Sequence, residues 1–144
     1  MNKKIYFSLI GLCLLCLVSC NNNNNNNSVP EQLAPIELEF TSASVTAINT
    51  YDYRISFKGN NCSASFSYSG EATGAYSYDK DPSMMFFWHS GSYSCNDGSG
   101  SLVSGDIQIS KRGANFWCRD ANGREVSGNF SGSVSLPGGG GPVK

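Results

Sequence analysis

From Ile36 onward apolar residues return at every second position, and this period limits the fold more than any other feature of the chain. Ile36-Glu-Leu-Glu-Phe40 alternates, as do Tyr51-Asp-Tyr-Arg-Ile-Ser-Phe57 and Cys62-Ser-Ala-Ser-Phe-Ser-Tyr68. Ala75-Tyr-Ser-Tyr78 follows, then the near-continuous apolar run Met84-Met-Phe-Phe-Trp88. Ser101-Leu-Val103 and Ile107-Gln-Ile109 read as one long strand interrupted at Gly105. Asn115-Phe-Trp-Cys118 and Val126 through Phe130, Val134 and Leu136 complete the set. An extended chain points successive side chains to opposite sides, so each run is predicted to be a strand with one buried face. No window carries a helical period.

The punctuation agrees. Gly59-Asn-Asn61, Gly70, Asp81-Pro82, Ser90-Gly91, Asn96-Asp-Gly98, Arg112-Gly113 and Asp120-Ala-Asn-Gly123 are turn formers lying between the runs. A turn every ~8–12 residues predicts an all-β domain of about eight antiparallel strands in hairpin order, a small barrel or a sandwich. In the last strand Val126, Gly128, Phe130, Gly132, Val134 and Leu136 share a face, and glycine alternating with large residues suggests the tight curvature of a closing barrel. If every connection is a hairpin, the turns at 59–61, 79–83, 96–100 and 120–123 fall at one end and those at 70–73, 90–92 and 111–114 at the other.

The N-terminus carries an address. Lys3 and Lys4 precede an apolar run, Ile5 to Val18, the layout of a secretory signal. Fourteen residues are too few to span ~30 Å of hydrocarbon, which takes ~20. The run ends in Leu17-Val18-Ser19-Cys20, which resembles the lipobox of bacterial lipoproteins. The resemblance covers residues 1–20. It implies that 1–19 is a signal peptide and that Cys20 carries a diacylglyceryl group and further acylation (palmitate among the chains); no significant helix is expected beyond 1–19. At ~0.8 kcal/mol per buried CH₂, two or more chains anchor stably where one does not. The expected location is therefore the cell envelope, exported and lipid-anchored; Asn21 rather than aspartate after Cys20 favours the outer membrane. Asn21 to Asn27 and the following segment to Pro35 have little to bury, so 20–35 is expected to be a disordered tether, ~50 Å at full stretch. The β domain is expected at 36–136, one core's worth of chain, with a Gly/Pro-rich flexible tail at 137–144.

Removing 1–19 takes away Lys3 and Lys4, so ten basic residues become eight against eleven acidic ones, and the net charge moves from −1 to about −3. A weakly acidic chain with scattered basic residues offers no stripe for nucleic acid. The six cysteines reduce to Cys62, Cys95 and Cys118 once Cys13, Cys16 and Cys20 are set aside. An exported compartment permits disulfides, and three thiols allow one bridge in any of three pairings. Hairpin order puts all three near one end, with a slight preference for Cys95–Cys118.

Catalytic chemistry has little to work with. A hydrolytic triad needs a base beside a nucleophile. The single histidine, His89, is expected at a strand end in solvent. Asp79, Asp81, Asp97 and Asp120 would share one rim and are weak candidates for a carboxylate pair or a hard-cation site. Asp and Asn are also simply what turns require, so no metal and no cofactor is expected. Tyr76, Tyr78, Tyr93, Trp88 and Trp117 could present a flat strip to sugar rings of a cell-wall glycan, or fill the core.

Thr73-Gly-Ala-Tyr-Ser77 and Phe87-Trp-His-Ser-Gly91 resemble the central motif of membrane-bound C-type lysozyme inhibitor lipoproteins, small β-barrels behind a lipobox. That family begins the first segment with serine and places lysine before the glycine of the second. Thr73 and Ser90 stand at those positions here, so the implied contact surface lacks the lysine. The expectation is a non-enzymatic envelope lipoprotein whose β domain binds a glycan or a secreted protein, or supports the envelope. The alternatives are a lysozyme-inhibitor-like or carbohydrate-binding module, and an enzyme built on the rim carboxylates and His89.

Overall fold

The computed structural model describes residues 32–81 and 85–138. The expected signal peptide, Cys20, most of the expected tether, residues 82–84 and the end of the tail lie outside them. Nine strands form: β1 (Ile36–Glu39), β2 (Ser42–Ala47), β3 (Asp52–Lys58), β4 (Ser63–Ser69), β5 (Gly74–Tyr78), β6 (Phe87–Cys95), β7 (Gly98–Ser110), β8 (Gly113–Asp120) and β9 (Glu125–Ser131). The described residues contain no helix. The all-β expectation holds.

One sheet holds all nine strands in the order β1-β9-β8-β7-β5-β6-β4-β3-β2. It curls into a half-barrel, which answers the barrel-or-sandwich question. The two edge strands are consecutive in sequence, and they stitch the edges together. Phe40 N donates to Asn129 O on the β9 side, and the next residue, Thr41, donates from its N to Lys58 O on the β3 side. Beyond β9, Ser135 exchanges backbone hydrogen bonds with β2, accepting from Val45 N and donating to Ala43 O. Strand edges that would template aggregation are thereby covered.

Hairpin order holds for β2-β3-β4 and for β6-β7-β8-β9 but fails at β5. β4 pairs with β6, while β5 pairs antiparallel with β7 and briefly parallel with β6. β7 makes this possible. Its first part pairs with β6 through Leu102, a register shift against β8 falls between Leu102 and Ser104, and its second part, Asp106–Ile109, takes β5 instead. β1 also runs parallel to β9. The expected turn at 90–92 is strand, because Gly91 lets β6 pass close over Phe66: a Cβ there would lie 2.8 Å from the ring. β2 was not expected as a strand; only Ala43 and Val45 face inward along it.

The period-two residues fill the inside of the curl. Phe40, Phe57, Phe66, Phe116 and Trp88 form the centre, with ring centroids 4.9–6.3 Å apart in tilted and edge-on contacts. Gly128 sits among them as the strand-face reading anticipated. A Cβ there would meet Phe40 at 2.5 Å and Phe116 at 2.6 Å, so glycine lets β9 approach the phenyl rings.

Candidate functional site

The outer face of β2, β3, β4, β6 and the start of β7 is a grid of hydroxyls. Alternation that sends Val45, Ile55, Phe57, Phe66 and Tyr93 inward sends serines outward, and the registers align them. One row crosses five strands as Ser44, Ser56, Ser65, Ser92 and Ser101, each directly opposite the next. The neighbouring row runs Ser42, Lys58, Ser63, Ser94 and Ser99, and the one on the other side Thr46, Arg54, Ser67 and Ser90. Rows of this kind repeat at ~4.8 Å across strands and ~6.7 Å along them. Ser65 and Ser92 hydroxyls are 3.3 Å apart, and Arg54 Nε lies 3.5 Å from Ser67 Oγ.

At one end of this face sits a polar cluster that sequence reasoning missed. Ser69 Oγ donates to Asp52 Oδ1 at 2.5 Å and lies 2.7 Å from His89 Nε2. Asp52 also accepts from Asn49 Nδ2. With the serine proton committed to the carboxylate, His89 Nε2–H must donate to Ser69 Oγ. Nδ1 is buried and has no partner. His89 is therefore not a solvated strand-end residue. The bulge between Ser67 and Tyr68 against β6 turns it onto the outer face beside Ser69. The only sequence signal was the cross-strand pairing of Asp52 with Ser69, which requires the register.

The hydrogen bond from Ser69, and then that from Asn49, hold the Asp52 carboxyl below its ordinary value of 3.8. A depressed folded-state pKa contributes stability that is present above the unfolded value and is lost as pH falls through the folded one. Asp52→Asn should therefore flatten the acid limb of a stability–pH curve below about pH 4, while leaving stability at neutral pH less changed. Urea midpoints measured at several pH values check this, and an unaltered acid limb would contradict it.

An apolar lip borders the cluster. Ile48 is 54% exposed, Tyr51 59% and Phe86 54%. Backbone hydrogen bonds bring their chain segments to the same end of β3, β4 and β6: Ile48 N to Asp52 O, Gly70 N to Tyr51 O and Phe86 N to Ser69 O. Phe86 adopts φ 65°, rare for a residue with a side chain, and its ring lies against Gly70. The run Met84–Trp88 was expected as a strand with one buried face. Instead β6 starts at Phe87, and Met85 and Phe86 are exposed.

The other expected sites are dispersed. Tyr76, Trp88 and Tyr93 are core residues, and Tyr78 packs on Trp88 with ring centroids 4.6 Å apart. Trp117 is 51% exposed, with the Arg119 guanidinium 5.8 Å from its ring. The strip of five aromatics does not form. Thr73 and Ser90 are not brought together. Ser77 pairs with Phe87 in parallel, so Thr73 lies four residues before that point and Ser90 three after it, a separation of roughly 20 Å along the strands.

The four aspartates do not share a rim. Asp79 N donates to Trp88 O near the start of β6, and Asp79 Oδ1 accepts from Asp81 N. Asp97 and Asp120 meet instead around Arg124, whose Nη1 donates to Asp97 O and whose backbone N donates to Asp120 Oδ1. Asp120 is buried, and its Oδ2 accepts from Tyr93 Oη at 2.9 Å. Burial, then the bond to Asp120, raises the Tyr93 phenol above its ordinary value. Asp120 thus ties the 120–124 turn to the core. No group of three His, Cys, Asp or Glu side chains able to hold a metal forms among the described residues.

Cys62, Cys95 and Cys118 are free thiols. The preference for Cys95–Cys118 is corrected by register. Cys95 faces Gly98 and Cys118 faces Gly105, seven residues farther along β7, so they stand roughly 20 Å apart. A disulfide needs Cα atoms within ~7 Å. Cys118 does not close its strand either, since β8 continues to Asp120.

The arrangement of Asp52, Ser69 and His89 differs from a hydrolytic relay, in which imidazole lies between carboxylate and hydroxyl. Here the hydroxyl lies in the middle, and its oxygen is in a residue only 4% exposed. No family model, no curated protein and no solved structure matches the chain.

Proposed function

We propose that this chain is an exported, lipid-anchored envelope protein whose β domain binds rather than catalyses, and that its ligand is a polyhydroxylated one such as a cell-wall glycan. The lipobox-like end at Cys20 supports the address. The observation that carries the binding reading is a pair of surface features on the same strands. Rows of serine hydroxyls with Arg54 cover the outer face of β3, β4 and β6, and the exposed residues Tyr51 and Phe86 lie at one end of these strands. Hydroxyls suit exchange of hydrogen bonds with sugar hydroxyls, and aromatic rings suit the apolar faces of sugar rings. A non-catalytic role is supported by the burial of Ser69, whose hydroxyl lies between Asp52 and His89 in a residue that solvent barely reaches.

One experiment with two arms tests this. Full-length chain with an intact Cys20 should partition with membranes and incorporate an alkyne-tagged palmitate, whereas Cys20→Ala should do neither. In detergent, the wild type should co-sediment with insoluble peptidoglycan. The double variant Tyr51→Ala/Phe86→Ala should bind roughly tenfold more weakly, for about 1.4 kcal/mol of lost contact. Both side chains are exposed, so the fold should be retained. Absence of co-sedimentation, or equal binding by the variant, would sink the glycan reading independently of the address.

A further inference from the structure

We propose that Cys62 and Cys95 are a cross-strand redox pair that closes to a disulfide when the chain meets a disulfide oxidant, with Cys118 left as a permanent thiol.

The argument is one of register. β4 and β6 pair antiparallel with Ser63 opposite Ser94 and Ala64 opposite Tyr93. One further step of that ladder sets Cys62 opposite Cys95. Directly opposed residues in an antiparallel ladder have Cα atoms ~4.5–5.5 Å apart, inside the ~4.4–6.8 Å range of disulfides. The facing is also right. Cys62 has the parity of the inward-facing Ala64, and Cys95 that of the inward-facing Tyr93, so both thiols point to the same side of the sheet. Both are partly buried against the core, and both line the same open hollow with Glu39, Asn61 and Asp97.

The surroundings make room for the sulfur. Cys62 Sγ donates to Glu39 O and Cys95 Sγ to Gly98 O, each at 3.3 Å. These are weak bonds, readily given up. A Cβ at residue 59 would lie 2.6 Å from Cys62 Sγ, so the turn between β3 and β4 tolerates the thiol only because Gly59 has none. Burial raises the Cys62 thiol as well, but Cys118 is shut off from solvent altogether. It is fully buried in β8, and burial pushes its thiol up to about 12, so the thiolate needed for exchange is scarce.

The step balances as thiol–disulfide exchange. One thiolate attacks a sulfur of the oxidant RS–SR and expels RS⁻, giving a mixed disulfide. The second thiolate then attacks the protein sulfur, forms the Cys62–Cys95 bond and expels the second RS⁻. Two electrons pass from the two thiols to the oxidant, and the two protons end on RSH. The export reading places the chain in a compartment where such oxidants persist. The pairing itself does not depend on it.

The three thiols fall in separate tryptic peptides, 59–80, 81–111 and 113–119, because cleavage follows Lys58, Lys80, Lys111, Arg112 and Arg119. Full-length chain equilibrated with a mixture of oxidised and reduced glutathione, then alkylated with a maleimide under denaturing conditions, should yield 59–80 joined to 81–111. Peptide 113–119 should carry the maleimide. The bond should raise Tm by roughly 5–15 °C over the reduced protein. Cys62→Ser and Cys95→Ser should each abolish that difference, and neither should join 113–119 to anything. Recovery of 59–80 and 81–111 both alkylated, or of either joined to 113–119, would overturn the pairing. Membrane partition of Cys20→Ala reports on the address alone, so the two failures are distinguishable.

Discussion

Replacing Trp88 with alanine is expected to lower the unfolding free energy by about 4 kcal/mol, in the range for deleting a large buried aromatic. Trp88 is fully buried, packs edge-on against Phe66 at 5.2 Å and against Tyr78 at 4.6 Å, and its Nε1–H donates to Gly105 O at 2.9 Å. The substitution removes the ring and also leaves a carbonyl without its donor at the point where β7 parts from β6. Small domains hold only ~5–15 kcal/mol in total, so the variant should be marginal, with Tm down by roughly 15–30 °C. Urea denaturation followed by far-ultraviolet circular dichroism measures this. A loss below about 1 kcal/mol would mean that Trp88 does not sit where its packing puts it. The same residue was a candidate for sugar stacking; a fully buried ring cannot do that, and any loss of glycan binding in this variant should track unfolding.

Gly105→Ala is expected to cost about 3 kcal/mol, combining backbone strain with overpacking. Gly105 has φ +115°, a region that side chains rarely enter. An added Cβ would lie 2.6 Å from Cys118 Cα and closer still to Trp117 O. Both neighbours are β8 backbone, so no side-chain rotation can relieve the clash. Displacing β8 should also expose Cys118, and native-state maleimide labelling of that thiol should accelerate as stability falls. Gly123→Ala is the internal comparison. It has φ +81° but nothing within 4 Å of its missing Cβ, so conformation alone acts and the cost should be about 1 kcal/mol. Equal costs at the two positions would show that crowding at Gly105 is not what the geometry says.

The polar cluster and the thiol pair show where sequence reasoning reaches its limit. Asp52, Ser69 and His89 come from three strands, and no spacing along the chain announces that a bulge turns His89 toward Ser69. The serines were visible as the polar half of each alternation, but their alignment into rows depends on registers that turns and bulges set. Asp120 looked like a turn former and is one, yet its burial against Tyr93 and Arg124 follows only from the end of β8 meeting β6 and β7.

By itself, the order of residues determined the all-β class, the inward set of Ile55, Phe57, Phe66, Ile107, Phe116 and Val126, and the glycine at 128 beneath the phenyl rings. These follow from a strand's period of two, a local property that each run carries within itself. Only the tertiary structure decided which strands are neighbours. It put β5 between β6 and β7, closed the curl through β1 and β2, set Cys62 rather than Cys118 beside Cys95, and drew Trp88 inward while leaving Tyr51 and Phe86 outside. The reason is physical: alternation says which face of a strand is apolar, but pairing is chosen by long-range closure, where one bulge or one glycine changes which strand lies next.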